Sequence, residues 1–533
     1  MRLYSGNKWK EGFADYSLTE GSMLVQPFFL VPLKKLEDLY FVRKPELSRL
    51  TGYIRELGIK AVTEKIKSRL SESIRNEKYF LCGLGTVKKS ACDKFAEGAH
   101  VVFAAPAAPK AAERLFVNGL FAKACSPEIT KKFSEDSYLL LAEKKDLNFC
   151  DQTISRLLNN FEAWEPDSGI KLEQSEINNF LDNLLSVFSE SKKPAKPLRL
   201  PIRDSQICNS LKPQNIPKKT TTSFTAQLYG LGNYAKTQIL PNLPDYIKME
   251  FIHEKDTAQL GNKNKYSATL ITSADFKPDS DIYFIAGYHH THASLAIQAL
   301  QQDSAAVVEK PLVTSRKDLA LILEAMKTTE GRLFTCYHMR HNPLFKQAKK
   351  DLSKDGKTPL NMNACVFETP LPAKHWYNWP NSRSHIVSNG CHWLDLFLFL
   401  NDYSKPRDIS LKRLGEKDSL SAVILENGAY LVLHLTHQGS ARIGVQDLVS
   451  LRSHAGTATV KNASSYSFES QHSLLRQIKF NRADSYRIMY KEICENIKNK
   501  TGGETPETVS VLNNLILDLD ALYFSSSDIQ PKD

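Results

Sequence analysis

A glycine-rich turn between a strand and a helical run constrains this chain more than any other sequence feature. Residues 224–229 (FTAQLY) form a short strand-like run, and the sequence GLGNYA follows directly over 230–235. In a βαβ unit the first glycine permits a tight turn, the second lets a pyrophosphate approach the backbone, and a small third residue lets helix and strand pack closely. The sequence therefore predicts a dinucleotide-binding loop made of Gly230, Gly232, Asn233, Tyr234 and Ala235.

The elements predicted after this turn alternate between strands and helices. Strands are predicted at residues 249–253, 281–286, 305–308 and 333–337, and helices at 293–300 and 317–326. Such alternation is typical of a doubly wound, parallel Rossmann sheet. Later extended segments are predicted at 421–425, 429–435 and 457–460, and a helical tail begins at about residue 485. These segments predict an α/β domain with an open, mainly antiparallel sheet, and hence an α/β fold class.

The chain divides into four predicted segments. Residues 1–140 are β-rich, residues 141–221 form a helical segment and a linker, and residues 222–345 form the Rossmann domain. Residues 346–533 form the α/β domain, which we expect to carry substrate and oligomer contacts and to end in helices. The linker prediction rests on residues 190–221, which are rich in Pro, Lys, Ser and Thr.

Charge and cysteine content favour a cytoplasmic protein with a small-molecule ligand. The formal net charge of +11 would suit nucleic acid, an anionic membrane or a phosphorylated substrate. The sequence has neither a nucleic-acid recognition motif nor an apolar run of about 20 residues that would span a bilayer. We therefore expect neither nucleic acid nor membrane as a partner. The nine cysteines are scattered without a Cys-x-x-Cys pair, which is typical of reduced thiols.

An acidic residue follows the second predicted strand of the Rossmann domain. Glu254 stands where an acid binds the ribose hydroxyls in dinucleotide sites. Its charge would favour NAD over NADP, whereas the neighbouring Lys255 argues the other way, so the predicted cofactor is NAD or NADP. The alternative is that Glu254 is an ordinary surface acid.

The sequence Glu309-Lys310-Pro311 ends a predicted strand at the carboxyl edge of the sheet, where ligands of such folds bind. A lysine held there can approach both a substrate hydroxyl and a nicotinamide ring. Pro311 fixes its own φ and could follow a cis peptide bond. A single lysine near a strand end is, by itself, also compatible with a plain surface residue.

A cluster of histidines, His289, His290 and His292, precedes a predicted helix. Three clustered imidazoles can bind a metal, but no carboxylate or cysteine partner is close in sequence. We therefore predict no metal site.

Together these segments resemble the Gfo/Idh/MocA oxidoreductases, named for glucose–fructose oxidoreductase and inositol dehydrogenase. The matching segments are GLGNYA at 230–235, GYHHTH at 287–292, VEKP at 308–311, YHMRHNP at 337–343 and GCHWLDL at 390–396. The resemblance covers residues 223–530. It implies a Rossmann domain followed by an α/β domain whose open sheet covers the active site and often makes oligomer contacts. It also implies NAD(P)-dependent chemistry on a sugar or nucleotide-sugar, plausibly in polysaccharide assembly, by a homo-oligomer.

The resemblance also assigns roles to individual residues. Lys310 matches the catalytic lysine of the family and His392 its proton-transferring histidine. A histidine suits proton transfer at neutral pH without any shift, and burial can lower the pKa of a lysine into that range. Further residues expected at the cofactor are His289, His292, Glu309, Lys310 and Arg340. Residues expected at the substrate are Tyr337, His375, Trp376, Asn389, His392 and Asp395.

One departure from the family pattern puts turnover in question. Many members carry an aspartate four residues before the histidine, but here Ser388 occupies that position, followed by Asn389. An orienting carboxylate is therefore missing unless Asp395 or another group supplies one. The alternative function is a non-catalytic, nucleotide-binding or regulatory homologue.

Residues 40–130 resemble the GroES-like domain of medium-chain, alcohol-dehydrogenase-type reductases. The likeness rests on residues 44–71, 95–102 and 111–117. Ala99 replaces an aspartate of those enzymes and Ala111 a frequent histidine, and no Cys/His/Glu set fits a catalytic zinc. We predict a degenerate domain that is structural, oligomer-forming or substrate-shaping and lacks redox activity of its own.

Overall fold

The structure is a computed structural model of the chain. The residues that it describes are 2–5, 8–11, 22–35, 79–107, 115–134, 138–142, 147, 174–192, 194, 198–201, 223–254, 268–271, 275–353, 358–371, 375–415, 417–441 and 444–525. They fall into two compact units, the first within residues 1–42, 69–221 and 249–275 and the second within 43–68, 222–248 and 276–533. No helix of the described residues is long and apolar enough to cross a membrane.

The first unit contains an N-terminal sheet. The elements of this region are β1 Arg2–Ser5, β2 Lys8–Glu11, β3 Ser22–Lys35, β4 Tyr79–Ser90, β5 His100–Ala107, β6 Leu115–Asn118, β7 Ala122–Ala124, helix α1 Pro127–Phe133, β8 Tyr138–Leu141, helix α2 Gln174–Glu190 and β9 Leu198–Pro201. β1 and β2 pair only with each other, as a separate antiparallel ribbon of the described residues. The sheet has the order β7-β5-β4-β3-β8-β9, and β6 also pairs with β3. Amphipathic α2 buries Phe188 against Phe29 and Phe133, with ring centroids 5.9 Å apart in both pairs.

This sheet confirms some predictions about the N-terminal region and corrects one. The strands predicted near residues 78–87 and 100–106 are present as β4 and β5. The prediction of a linker throughout residues 190–221 is wrong for Leu198–Pro201, which pairs with β8 because its backbone groups complete the sheet edge. The predicted helix at 44–71 lies outside the described residues, and the resemblance to a GroES-like domain stays a prediction.

Parallel strands begin at residue 224. The elements are β10 Phe224–Tyr229, β11 Ile247–His253, β12 Thr269–Ile271, β13 Ile282–Ile285, helix α3 His292–Leu300, β14 Ala305–Val308, helix α4 Arg316–Thr328 and β15 Arg332–Thr335. In the second unit β10, β13, β14 and β15 pair in this order, all in parallel. β11 pairs in parallel with β12. Every residue of β13 and β14 is buried, as expected for strands covered on both faces.

The predicted Rossmann strands and helices are confirmed, with one change after the glycine turn. There the chain forms a single π-helical turn at Ala235–Ile239 and a 3₁₀ turn at Leu240–Asn242. Pro241 and Pro244 follow closely, and proline lacks the N–H that would extend a helix. The expected helix is therefore present as one short, irregular helical run from Asn233 to Asn242.

A second, larger sheet follows in the same unit. Its elements are helix α5 Pro343–Leu352, β16 Asn361–Phe367, helix α6 Cys391–Leu400, β17 Pro406–Arg413, β18 Ser419–Leu425, β19 Tyr430–Thr436, β20 Gln446–Ser453, β21 Gly456–Lys461, β22 Ser465–Glu469, β23 Leu474–Lys479, helix α7 Asp484–Lys498 and helix α8 Pro506–Ser525. The order is β17-β18-β19-β16-β20-β21-β22-β23. Only β16 and β19 pair in parallel within it, so the predicted open, mainly antiparallel sheet is confirmed. Alternate residues of β18 are buried, which places one face of the sheet on the core.

A buried asparagine joins three parts of this unit. The Oδ1 of Asn342 accepts from the N–H of Leu344 and caps α5 at 2.8 Å. Its Nδ2 donates to the carbonyl of Ala463 at 2.9 Å and to Oγ of Ser485 at 3.0 Å. Asn342 is fully buried, so no water can replace these partners from outside.

We predict that Asn342→Ala lowers the free energy of unfolding by about 2–4 kcal/mol, because a helix cap and two buried hydrogen bonds are lost together. The midpoint of urea unfolding measures this change. Asn499→Ala, at the exposed end of α7, is the matched control and should unfold like the wild type. Equal midpoints for both variants would contradict the prediction.

Candidate functional site

A cavity of about 270 Å³ lies in the second unit, beside the carboxyl ends of β13 and β14. One wall comes from the loops that follow these strands, and the opposite wall comes from α6, α7 and the large sheet. Ligands of open parallel sheets bind at this edge. The sequence-predicted residues that line the cavity are Tyr234, His289, His292, Glu309, Lys310, Trp376, Asn389 and His392.

Lys310 extends from the end of β14 across the cavity wall. Its Nζ donates to the carbonyl of Ser388 at 2.6 Å, and it has longer contacts with Oδ1 of Asn389 at 3.4 Å and the hydroxyl of Tyr377 at 3.5 Å. The peptide bond between Lys310 and Pro311 is cis, as the sequence suggested. The ammonium therefore lies in a cage of oxygen acceptors.

The Lys310 side chain is a permanent cation. Burial alone would lower the pKa of Lys310, but neighbouring Tyr377, Cys391 and Glu309 outweigh burial and raise the pKa above its usual value. The prediction that burial lowers this pKa toward neutrality is therefore wrong. Lys310 supplies a fixed positive charge and three N–H donors rather than a base.

His392 lies near the start of α6, directly after a π-helical turn at Ile386–Gly390. Its ring packs edge-on against His338, with centroids 4.8 Å apart. Burial, together with the positive charge of Lys310, holds the pKa of His392 well below 6.5. Its Nδ1 has no hydrogen-bond partner among the described residues. His392 is therefore a neutral imidazole beside a cation.

His289 and His292, before and at the start of α3, lie in the cavity wall and contact carbonyl groups and aromatic rings, whereas His290 does not line the cavity. One ring nitrogen of His292 lies 2.8 Å from the carbonyl of Pro311 and the other 3.2 Å from that of Gly287. Burial lowers the pKa of His292 to about 4, although the carbonyl groups act in the opposite sense. The ring of His289 packs on Trp376, with centroids 4.6 Å apart. Among the described residues no cluster of His, Cys, Asp and Glu is arranged to hold a metal ion.

Glu309 lines the cavity but is already engaged in a hydrogen bond. Its Oε1 accepts from the hydroxyl of Tyr490 at 2.5 Å, which connects the end of β14 to α7. Burial raises the pKa of Glu309 above its usual value. This contact fixes the backbone that presents Lys310.

The glycine turn has the geometry that a dinucleotide loop needs. Gly230 has φ +95°, and a Cβ there would lie 2.5 Å from the carbonyl oxygen of Ala286, so only glycine fits. A Cβ at Gly232 would have no atom within 4 Å, which leaves its backbone open to a ligand. The residues present therefore fit a pyrophosphate. The helical turns that follow begin at Asn233, and the N–H of Lys236 donates to the carbonyl of Gly232 at 3.2 Å, so the N-terminus of this short helix lies at the glycine turn.

Two charged residues predicted for the site are instead paired in the core behind it. Arg340 Nη2 donates to Oε1 of Glu504 at 2.5 Å, and its Nη1 donates to the hydroxyl of Tyr403 at 2.9 Å. Asp395 accepts from the same hydroxyl at 2.9 Å and lies 3.7 Å from Arg340. Neither side chain lines the cavity, because this buried network holds both. Asp395 therefore does not replace the carboxylate that is missing at Ser388.

Tyr337 and His375 were also predicted at the substrate, but neither lines the cavity. Tyr337 is fully buried, with its ring 6.1 Å from that of His392, so it supports the histidine from behind. His375 accepts from the N–H of Tyr377 at 3.2 Å and stacks on Trp376 outside the cavity lining.

Glu254 directly follows β11, and its N–H donates to the carbonyl of Ile271 at 2.8 Å. Its contact with a ribose stays a prediction.

Several cavity residues were not predicted from the sequence. They include Tyr377, Trp393, Glu368, Asp447, Arg482, Tyr486 and His338. Trp393 and Tyr377 are sequence neighbours of predicted residues and could have been included on that basis. Glu368 directly follows β16 and Asp447 lies in β20, without a local motif, so only the pairing of distant strands brings them to the cavity.

Comparison with known proteins identifies the parallel-strand region. Residues 230–337 match the Gfo/Idh/MocA family, described as an oxidoreductase family with an NAD-binding Rossmann fold. Residues 230–337 therefore form a Rossmann domain that is similar to the NAD-binding domain of this oxidoreductase family. YteT of Bacillus subtilis (strain 168) is 31% identical over 124 residues, which cover 22% of this chain and 28% of that protein. The match thus spans under a third of the relative.

Solved structures with some similarity cover about three fifths of the chain. GenD2 from gentamicin A biosynthesis, in complex with NAD, is 14% identical and covers 59% of this chain and 97% of its own, with a TM-score of 0.47. The WlbA dehydrogenase from Chromobacterium violaceum, in complex with NADH and UDP-GlcNAcA, is 16% identical, with coverages of 60% and 99% and a TM-score of 0.47. An oxidoreductase domain protein from Kribbella flavida is 15% identical, with coverages of 58% and 98% and a TM-score of 0.49.

We predict that Gly232→Ala weakens NADH binding by about tenfold or more, since the added methyl group would separate the backbone from the pyrophosphate. The melting temperature should not change, because the methyl group meets no protein atom within 4 Å. Titration of NADH fluorescence measures the Kd. Gly415→Ala, in a loop with similar free space, is the control. Wild-type affinity in Gly232→Ala would show that the pyrophosphate binds elsewhere.

Proposed function

We propose that this chain is an NAD(H)- or NADP(H)-dependent oxidoreductase that transfers a hydride between nicotinamide and a hydroxyl-bearing carbon of a sugar or nucleotide-sugar. The observation that carries the proposal is the shared cavity of Lys310 and His392, a buried cation and a neutral imidazole. This cavity lies at the strand edge next to the glycine turn of the NAD-binding domain.

Lys310 and His392 have different roles at the substrate hydroxyl group. The Nζ of Lys310 binds the substrate oxygen and stabilises the negative charge that grows on it as the proton leaves. Its long contacts with Asn389 and Tyr377 are weak enough to be exchanged for that oxygen. An imidazole nitrogen of His392 accepts the proton. In the reverse direction His392 returns the proton to the carbonyl oxygen.

The bound nicotinamide supplies the hydride acceptor or donor. The cavity wall excludes water and positions the reacting side chains. The rings of Trp376 and Trp393 reduce access of water, which strengthens the electrostatic contact between Lys310 and the substrate oxygen. The ends of β13 and β14 keep His289 and Lys310 at fixed positions, because both strands are fully buried.

A second candidate is a nucleotide-binding homologue without turnover. It is favoured by Ser388, which offers its backbone carbonyl to Lys310 where many relatives have a carboxylate. Among the described residues, Lys310 has no carboxylate within 4.0 Å. NADH binding without an absorbance change across a broad sugar panel would favour this candidate.

The proposal also covers the N-terminal sheet and the oligomeric state. We propose that the N-terminal sheet supports the fold or the oligomer and has no redox chemistry of its own. We further expect a homo-oligomer in the cytoplasm, and size-exclusion chromatography with light scattering tests the oligomeric state.

We predict that Lys310→Met lowers kcat by about 100-fold or more, because the charge that stabilises the alkoxide is removed while the side-chain length is kept. NAD(H) absorbance at saturating sugar measures the rate. Lys317→Met, on the exposed face of α4, is the control and should keep full activity. Full activity of Lys310→Met would refute the catalytic role.

We predict a flat pH profile for sugar oxidation between about pH 6.5 and pH 8.5. The pKa of His392 lies well below 6.5, so the imidazole is already neutral across this range. Lowering the pH through that pKa protonates the base and reduces the rate. The measurement is kcat/KM from about pH 5 to pH 9. An acid limb centred at or above pH 6.5 would contradict the lowered pKa of His392.

A further inference from the structure

One carboxylate in the cavity wall has no assigned role in proton transfer. Glu368 directly follows β16, is 3% exposed, and lines the same cavity as Lys310 and His392. Its Oε1 has no hydrogen-bond partner among the described residues. A buried carboxylate oxygen without a partner is costly, so such a group in a folded protein calls for a ligand that completes it.

The surroundings of Glu368 leave this one buried oxygen without a hydrogen-bond donor from the described residues. The other oxygen, Oε2, lies 3.7 Å from Nε2 of His437. The backbone N–H of Glu368 donates to the carbonyl of Thr436 at 2.8 Å, which continues the pairing of β16 and β19. The position of the carboxylate is therefore set by a sheet and not by a loose loop.

The same cavity wall contains a hydrogen-bond donor that complements the carboxylate acceptor of Glu368. Trp393 is 2% exposed and also lines the cavity, and its Nε1 has no partner among the described residues. Indole offers one N–H donor and no acceptor, whereas a carboxylate offers acceptors only. A hydroxyl group can both donate and accept, so its chemistry matches both side chains.

We propose that Glu368 and Trp393 form a recognition site for a second, non-reacting hydroxyl of a neutral polyol substrate. This inference rests on the proposed function and deepens it by naming the substrate feature that the large sheet recognises. The carboxylate accepts from the hydroxyl proton, and the indole N–H donates to its oxygen. A carboxylate or phosphate at this position is disfavoured, because Glu368 would repel its charge. Glu368 is a specificity-determining residue and takes no part in proton transfer.

The test is the binding of D-glucose, D-galactose and myo-inositol to the full chain saturated with NADH, measured by titration calorimetry. For the polyol that binds most tightly, Glu368→Gln should raise the Kd by about 10- to 100-fold, since the hydrogen bond to a charged acceptor is lost. Glu324→Gln, an exposed acid on α4, should keep the wild-type Kd. Trp393→Phe should raise the Kd several-fold, with its melting temperature recorded to confirm folding.

Monodeoxy analogues of that polyol locate the recognised hydroxyl. One analogue should bind wild type about 10-fold or more weakly than the parent, and Glu368→Gln should lose most of that preference. An unchanged polyol Kd in Glu368→Gln, or no binding of any of the polyols to wild type, overturns the inference. NADH and NADPH affinities are measured in parallel. Failure of the wild type to bind either NADH or NADPH refutes the proposed function, whereas cofactor binding together with an unchanged polyol Kd in Glu368→Gln refutes only this inference.

Discussion

The hydrogen bond from Nζ of Lys310 to the carbonyl of Ser388 is the contact on which the site depends. It connects the end of a fully buried parallel strand to the turn that precedes α6 and His392. The contact between Glu309 and Tyr490 holds the same strand end to α7. Glu309 and Lys310, two consecutive residues at the end of β14, thus hold α7 and the turn before α6 to the parallel sheet. The spacing of cation and imidazole follows from these packing contacts.

The charge distribution of the cavity follows from burial. Burial pushes the imidazoles of His289, His292, His338 and His392 toward the neutral form, and the ammonium of Lys310 reinforces this for His289, His338 and His392. Lys310 stays protonated because its interactions with Tyr377, Cys391 and Glu309 outweigh the effect of burial on its pKa. A neutral base next to a fixed cation suits the removal of a proton from a hydroxyl, since the cation lowers the cost of the alkoxide. The absence of an aspartate at Ser388 is compatible with this division of work.

Sequence patterns were reliable where function depends on backbone geometry close in the chain. The glycine turn, the strand ending in Glu309-Lys310-Pro311 and the position of His392 are defined by local spacing, and the structure brings the lysine and the histidine to one cavity. The patterns were less reliable for charged side chains. Arg340 and Asp395 looked like site residues, yet Glu504 and Tyr403, distant in sequence, hold them in the core.

The sequence by itself determined the α/β class, the alternation of strands and helices along the chain, and the glycine turn of the NAD-binding domain. These features depend on strand and helix periods and on glycine positions, which are local properties. Only the tertiary structure decided that Lys310 stays protonated, that Arg340 and Asp395 are held in the core, and that Glu368 reaches the cavity. Each of these depends on neighbours from remote segments. Their burial and hydrogen bonding set pKa values and side-chain access, which no window of sequence contains.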